Sequence, residues 1–143
     1  MREILVVEDS DTDAELLERA LRAAKVINPV RRFSDGHQAL AYFKSQDNNY
    51  DTGETEKPSI LFLDLRLPRA SGFEILGYLQ MSWSFRHMLK IVVSELENLV
   101  SIRTAYSLGA GSFLGKPVHQ QDLRDMIKAY PEHWEMEHAA EAS

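Results

Sequence analysis

The sequence predicts an α/β fold in which five helices pack on the two faces of one doubly wound, five-stranded parallel sheet. Short apolar runs alternate along the chain with segments of helical periodicity, the pattern of β-α-β units with right-handed crossovers. One run, Ile60 to Leu63, is uniformly apolar. Such a run is typical of a strand that is buried on both faces of a parallel sheet.

Length and composition limit the class of protein. With 143 residues, of which 44% are hydrophobic, the chain is long enough for one domain with a buried core. The net charge of -6 argues against a surface that grips nucleic-acid phosphates. The lack of cysteine excludes a disulfide framework and a thiolate zinc site. No stretch is typical of a signal peptide or a membrane span. We therefore expect a cytoplasmic protein with no nucleic-acid or membrane partner.

The strands follow from short runs of apolar and β-branched residues. The second run is more polar than the others, which favours a position at an edge of the sheet. The predicted strands are Ile4 to Val7, Val30 to Phe33, Ile60 to Leu63, Leu89 to Val93 and Ser112 to Leu114.

The helices follow from apolar residues at helical spacing. Acids in the first turn favour the first helix through the macrodipole, and Leu16 and Ala20 widen its apolar face. Ser34 and Asp35 cap the second helix. The helices run from Asp11 to Lys25, through Ala39, Leu40 and Phe43, from Ser71 to Gln80, from Glu97 to Leu108, and through Leu123, Met126, Ile127 and Tyr130.

Two segments lack this regularity. The polar stretch from Gln46 to Lys57 is predicted to be a long exposed loop. Pro131 breaks the last helix, so we divide the chain into a domain of residues 1–130 and a C-terminal extension of residues 131–143. We expect Trp134 in this extension to take part in a homodimer or a partner contact, and not in the core.

Polar side chains follow four of the predicted strands. Glu8 and Asp9 follow the first, Asp64 the third, Ser94 the fourth and Lys116 the fifth. Taken singly, each has an ordinary structural explanation as a turn, cap or surface residue. Because the carboxyl ends of parallel strands meet at one edge, where ligands bind, we expect all five side chains to share a site.

The residue types at this edge indicate phosphoryl chemistry. Three carboxylates that converge repel each other unless a cation is bound, and oxygen ligands suit Mg²⁺. Beside Mg²⁺, the Asp64 carboxylate can act as a nucleophile toward phosphorus. Lys116 can then neutralise the phosphoryl group, and the Ser94 hydroxyl can donate a hydrogen bond to it.

The motifs at the strand ends resemble those of the response-regulator receiver domains of bacterial two-component signalling. The resemblance extends from Ile4 to about Ile127. It is carried by Val-Val-Glu8-Asp9-Ser10, Phe-Leu-Asp64-Leu-Arg-Leu-Pro68 with Gly72, Val-Val-Ser94 and Phe113-Leu-Gly-Lys116-Pro117.

This resemblance implies a role for each site residue. Asp64 would be the phosphoacceptor, with a sensor histidine kinase or a phosphotransfer protein as phosphohistidine donor. Ser94 and Lys116 would bind the phosphoryl group, and Phe113 would be a switch aromatic. The Lys116 to Pro117 peptide is expected to be cis. The resemblance also implies a Mg²⁺ site made by Glu8, Asp9, Asp64 and the backbone carbonyl of Arg66.

The chain also resembles, more weakly, the single-domain regulators associated with bacterial phytochromes, through its long loop before the third strand and through Trp134. A phytochrome-type kinase is thus one expected partner. Because no output domain follows the last helix, we expect the signal to pass through protein contacts to an output protein that the sequence does not name. The oligomeric state stays open, a homodimer included. Such a protein is not an enzyme beyond its own phosphorylation and dephosphorylation.

Two positions depart from the usual receiver pattern. Glu8 replaces the more frequent aspartate, which preserves the charge. Glu95 stands directly after Ser94, where receivers normally have a small residue, and it places an acid at the mouth of the site. Arg66 on the neighbouring loop could pair with Glu95.

Alternatives from other functional classes fit less well. A flavodoxin-like flavin binder shares this fold class, but its first loop must cradle phosphate, and the loop from Glu8 to Asp11 is acidic. A haloacid-dehalogenase-like phosphatase would have a second acid where this chain has Arg66. The alternative that stays open is a degenerate receiver that binds a partner without phosphorylation. The apolar residues of the fourth helix cover an arc wider than one core face requires, so either some of them stay exposed for a partner or all of them are buried.

Overall fold

The structure of the protein is a computed structural model, and it describes residues 1–48, 56–95 and 98–138. These residues form one sheet with helices on both of its faces. Its five parallel strands lie in the order β2-β1-β3-β4-β5, so the predicted fold class is confirmed. The strands are β1 (Ile4–Val7), β2 (Val30–Phe33), β3 (Ile60–Leu63), β4 (Leu89–Ser94) and β5 (Ser112–Gly115). The helices are α1 (Asp11–Ala23), α2 (Gly36–Asn48), α3 (Gly72–Gln80), α4 (Leu99–Ser107) and α5 (Gln120–Ala129), followed by a 3₁₀ turn at Pro131–His133.

The core consists of two apolar layers, one on each face of the sheet. Alternate residues of a strand point to opposite faces, which explains why β1 and β3, buried on both faces, are apolar at every position. Val7, Leu61 and Leu63 lie in the layer that is covered by α2, α3 and α4. Val6 and Phe62 lie in the layer covered by α1 and α5.

The register of the strands brings their carboxyl ends together. Val7 of β1 pairs with Leu63 of β3, and Leu63 in turn pairs with Val92 of β4. The residues that follow β1 and β3 therefore leave the sheet at the same level. β4 continues to Ser94, which pairs with Gly115 of β5. The sheet itself thus delivers its terminal side chains to one edge.

The two edge strands are β2 and β5, which confirms the edge position that was predicted for the polar second strand. The first helix ends at Ala23, two residues before the predicted end. After the helix the polypeptide changes direction at Lys25, whose φ of 71° is in the left-handed region. Leu16 is 49% exposed, so the prediction that it widens the buried face was wrong.

The second helix is longer than predicted, because residues 46–48 are helical and not part of a loop. Asp47 explains this difference: its carboxylate accepts hydrogen bonds from Tyr78 and Ser82, which fasten the end of α2 to α3 and the turn after it. Burial and the bond to Asp47 raise the pKa of Tyr78 to about 12. Residues 49–55 of the predicted loop lie outside the described residues. The predicted helix start at Glu97 also lies outside them, and α4 begins at Leu99 after the cap residue Asn98.

The described part of the C-terminal extension packs onto the domain. Trp134 is only 5% exposed and lies in the layer under α1 and α5, against Phe62, with 6.3 Å between the ring centroids. The hydroxyl of Ser59 donates a hydrogen bond to the His133 carbonyl, and Met136 forms an antiparallel bridge with Val26. The prediction that Trp134 takes part in a partner contact and not in the core was wrong. The 3₁₀ turn directs the chain back onto the domain, so that Trp134 reaches Phe62. The periodicity of apolar residues in the sequence does not reveal such a change of direction.

None of the helices in the described ranges has the length and hydrophobicity that a membrane crossing requires.

The burial of Trp134 leads to a prediction about stability. Trp134→Ala is expected to lower the free energy of unfolding by about 3 to 5 kcal/mol, because it leaves a cavity beside Phe62. Trp83→Ala is the matched control, since that indole is 75% exposed, and it should change the value by less than about 1 kcal/mol. Urea denaturation followed by circular dichroism measures both. Equal losses in the two variants would contradict the assignment of Trp134 to the core.

Candidate functional site

The carboxyl edge of the sheet carries a cleft of about 380 Å³. Glu8 and Asp9 directly follow β1, Asp64 directly follows β3, Ser94 ends β4 and Lys116 directly follows β5. All five line this cleft, together with residues that neighbour them in sequence. The structure therefore places the predicted site residues together.

Lys116 lies at the centre of this group. Its Nζ is 2.6 Å from Oε1 of Glu8, 2.8 Å from Oδ2 of Asp64 and 3.0 Å from Oδ2 of Asp13. An ammonium group has three hydrogens to donate, so each of them has a carboxylate acceptor. The Lys116 side chain is 10% exposed. This places a cation with three anionic partners at a largely buried position.

Burial and ion pairing have opposite effects on these groups. Burial would lower the pKa of Lys116, but the hydrogen bonds to Asp64, Glu8 and Asp13 outweigh it and raise that pKa well above its ordinary value. The surrounding carboxylates thus favour the protonated form of Lys116. For Glu8 burial is the larger effect, and it raises the pKa of that carboxyl group against the hydrogen bonds from Lys116 and the Ser10 amide.

Asp64 is held through both carboxylate oxygens. Oδ2 accepts from Lys116, and Oδ1 accepts from the backbone N–H of Arg66 at 2.9 Å. Close packing fixes the following loop, because a Cβ atom on Gly72 would lie 2.5 Å from the carbonyl oxygen of Asp64. Only glycine fits there. The Asp64 carboxylate is thus oriented by one cation and one amide in a buried position.

The acids at this edge fit a divalent cation. Glu8, Asp9 and Asp64 can each offer an oxygen such that all three atoms lie within 4.8 Å of one another. A set of oxygen donors suits a hard cation such as Mg²⁺. Asp9 differs from the other two because it is exposed and lies outside the ion pairs of Lys116. One acid of the set is therefore open while the other two are paired with Lys116.

The other predicted residues lie on β4 and β5 and on the loops that follow the strands. Ser94 is buried, and its carbonyl accepts a hydrogen bond from the backbone N–H of Lys116 at 3.2 Å. The Lys116–Pro117 peptide is cis, as expected. Phe113 is partly buried against the core layer under α2, α3 and α4. Arg66 and Glu95 are exposed on the rim, and the described residues include no ion pair between them.

Two residues near the centre were missed by the sequence analysis. Asp13, in the first turn of α1, completes the acceptors of Lys116. Arg32, near the end of β2, donates from Nε to the carbonyl of Glu8 at 3.0 Å and pairs through Nη1 with Asp11 at 2.7 Å. The acidic first turn of α1 was explained by the macrodipole alone. A helix that starts directly after the acidic loop also brings its first turn over the site, and this could have identified Asp13.

Comparison with known proteins agrees with this geometry. A match to the response regulator receiver domain family spans residues 4–128. The probable methanogenesis regulatory protein FilR2 of Methanothrix harundinacea is 30% identical over 131 residues, which are 92% of this chain and 82% of FilR2.

Solved structures of response regulators are also similar. The bacteriophytochrome response regulator AtBRR has a TM-score of 0.78 and 29% identity, over 97% of this chain and 99% of AtBRR. The Mn²⁺-bound form of response regulator Rcp1, a protein of Synechocystis sp., has a TM-score of 0.71 and 26% identity, over 92% of this chain and 93% of Rcp1. With its sheet order, its acidic edge and these matches, the chain belongs to the response regulator receiver domain family.

Proposed function

We propose that this chain is a response regulator of the single-domain type that accepts a phosphoryl group on Asp64 and signals through protein contacts. The donor is a phosphohistidine on a sensor histidine kinase or a phosphotransfer protein. The observation that supports this best is the buried Asp64 carboxylate, held by the ammonium of Lys116 at 2.8 Å and the amide of Arg66 at 2.9 Å beside two further acids.

In the proposed reaction, a carboxylate oxygen of Asp64 forms a bond to phosphorus. The bond between phosphorus and the donor's imidazole nitrogen breaks, and its electron pair stays on that nitrogen. The product is an acyl phosphate on Asp64. Because phosphoryl transfer involves little covalent work by the protein, positioning and charge neutralisation supply most of the rate.

Each residue at the edge has a part in this reaction. Lys116 already lies in hydrogen-bond range of Asp64, so its positive charge is available to the transferred oxygens. The hydroxyl of Ser94 would donate to the same oxygens. Mg²⁺, bound by Glu8, Asp9, Asp64 and the carbonyl of Arg66, would supply the positive charge that makes an anionic donor tolerable among these acids. The Mn²⁺-bound form of Rcp1 supports a divalent cation in this family.

The signal would leave the site through β5 and α4. Phe113 of β5 pairs with Val92 of β4, two residues before Ser94, and we assign it the role of the switch aromatic. The apolar side chains of Leu99, Val100 and Tyr106 on α4 are 60%, 71% and 47% exposed. We assign this surface to contacts with an output protein or with a second copy in a homodimer.

The likeness to AtBRR, a bacteriophytochrome response regulator, favours a phytochrome-type sensor kinase as the donor. We place this exchange in the cytoplasm. The chemistry of the chain is then limited to its own phosphorylation and dephosphorylation. The alternative, a degenerate receiver that binds its partner without phosphorylation, retains the fold but leaves Asp64 unmodified. The next experiment separates the two functions.

Asp64→Asn is expected to abolish phosphorylation and to preserve the fold, because the amide is nearly isosteric but a far weaker nucleophile. The protein is incubated with Mg²⁺ and a small-molecule phosphodonor, and intact-protein mass spectrometry counts the added phosphoryl groups. Asp125→Asn, on the exposed surface of α5, is the matched control and should be phosphorylated like the wild type. An unmodified wild type would favour the degenerate receiver, and a phosphorylated Asp64→Asn variant would contradict the assignment of Asp64.

Glu95 is expected to slow anionic phosphodonors. A unit charge pair about 7 Å apart at an effective dielectric constant of roughly 40 costs on the order of 1 kcal/mol, which is several-fold in rate. Glu95→Ala should therefore raise the initial rate with a small anionic donor several-fold at low ionic strength, and Arg66→Ala should lower it. Both effects should shrink at about 1 M salt.

Glu74→Ala removes an exposed acid from α3 and is the control for net charge in this rate experiment. It should leave the initial rate near that of the wild type. A Glu95→Ala rate that is unchanged or lower would show that Glu95 is not an electrostatic barrier to the donor.

A further inference from the structure

We infer that Asp13 is a positioning residue, which retains the Lys116 ammonium at the site when a divalent cation takes the carboxylates of Glu8 and Asp64. This inference rests on the proposed function, because it assumes that Glu8, Asp9 and Asp64 bind the cation. It assigns a task to an acid that lies outside that set of three.

The partners of Lys116 divide into two kinds. Glu8 and Asp64 belong to the set of acids that can hold a metal, and Asp13 does not. Their side chains also differ in burial: Glu8 is 7% and Asp64 is 8% exposed, whereas Asp13 is 36% exposed. Asp13 is therefore the outer partner of the ammonium, at 3.0 Å.

Asp13 is fixed by the start of α1. Its backbone N–H donates to Oγ of the cap residue Ser10 at 3.1 Å, and the N–H of Ser10 donates to Oε2 of Glu8 at 3.1 Å. The helix start is thus tied to the acid that follows β1. These hydrogen bonds hold the backbone at the position from which the Asp13 carboxylate reaches Lys116.

A divalent cation and the ammonium share the carboxylates of Glu8 and Asp64 as partners. A cation bound by Glu8 and Asp64 repels Lys116 and occupies two of its three acceptors. Lys116 is only 10% exposed, and a charged group that loses its partners at a buried position is strongly destabilised. Asp13 remains as an anionic acceptor, so it lowers the cost of displacing Lys116 and keeps the ammonium beside Asp64.

Two simpler roles for Asp13 must be distinguished from this one. An acid in the first turn stabilises a helix through the macrodipole. Asp11 occupies the same turn but pairs with Arg32 and not with Lys116, so Asp11→Asn is the matched control. Asp13 could also attract the cation directly. In that case its effect does not require Lys116, and the Lys116→Met background separates the two.

The experiment is a double-mutant cycle on Mn²⁺ affinity, read from the electron paramagnetic resonance signal of free Mn²⁺. The proteins are wild type, Asp13→Asn, Lys116→Met and the double variant. Asp13→Asn should weaken Mn²⁺ binding about threefold to fivefold when Lys116 is present, as expected for a partly exposed ion pair. In the Lys116→Met background the same substitution should change the affinity less than about twofold.

The controls address folding and charge. Asp11→Asn should keep the affinity within about twofold of the wild type. Asp13→Glu retains a carboxylate in reach of Lys116 and should also stay within about twofold. Circular dichroism in EDTA checks that each variant is folded, so that a change in affinity is not read from unfolded protein.

Each outcome decides the inference. If Asp13→Asn weakens Mn²⁺ binding in the Lys116→Met background as much as, or more than, in the wild-type background, Asp13 attracts the cation directly. That result would overturn the positioning role. Unchanged affinity in Asp13→Asn, with a wild type that binds Mn²⁺, would overturn this inference alone. A wild type that binds no Mn²⁺ would overturn both the inference and the proposed metal site.

Discussion

The site depends on one interaction, the ammonium of Lys116 within 3.0 Å or less of three carboxylates. Glu8 and Asp64 are both buried, and without a nearby cation their charges would repel each other and lose their hydration. The strand order places Lys116 on the opposite side of β4 from Asp64, and a long side chain spans that distance. The parallel sheet and the ion pair are therefore parts of one arrangement: the sheet assembles the charges, and Lys116 makes their assembly stable.

The same interaction opposes the proposed function. A buried ion pair stabilises its partners only as long as it is intact, yet a bound cation would draw on two carboxylates that Lys116 now holds. Different acids are available to the cation and to Lys116. Asp9 is exposed and unpaired with Lys116, so it is available to a cation, while Asp13 lies outside the metal set and is available to Lys116. Exchange of partners is then possible without leaving a buried charge alone.

Sequence reasoning reached the residues whose position follows from a strand end. Asp64 and Lys116 were predicted because parallel strands deliver their carboxyl ends to one edge, and receiver motifs reinforced that expectation. The positions of residues that are fixed by tertiary contacts could not be predicted from the sequence. Trp134 is buried because a 3₁₀ turn carries it to Phe62, and Asp47 extends α2 because Tyr78 and Ser82 donate to it from another segment. Neither contact produces a periodic pattern of apolar residues from which it could be predicted.

The most direct test measures the free energy of unfolding of Lys116→Met and wild type, once in EDTA and once at saturating Mg²⁺. In EDTA the variant should be about 3 kcal/mol less stable than the wild type, because Glu8 and Asp64 lose their buried cation. Saturating Mg²⁺ should remove most of that difference, since a cation that binds the folded state replaces the missing charge. A loss that is the same in both conditions, or no loss in EDTA, would contradict the account that Lys116 and a divalent cation share these carboxylates.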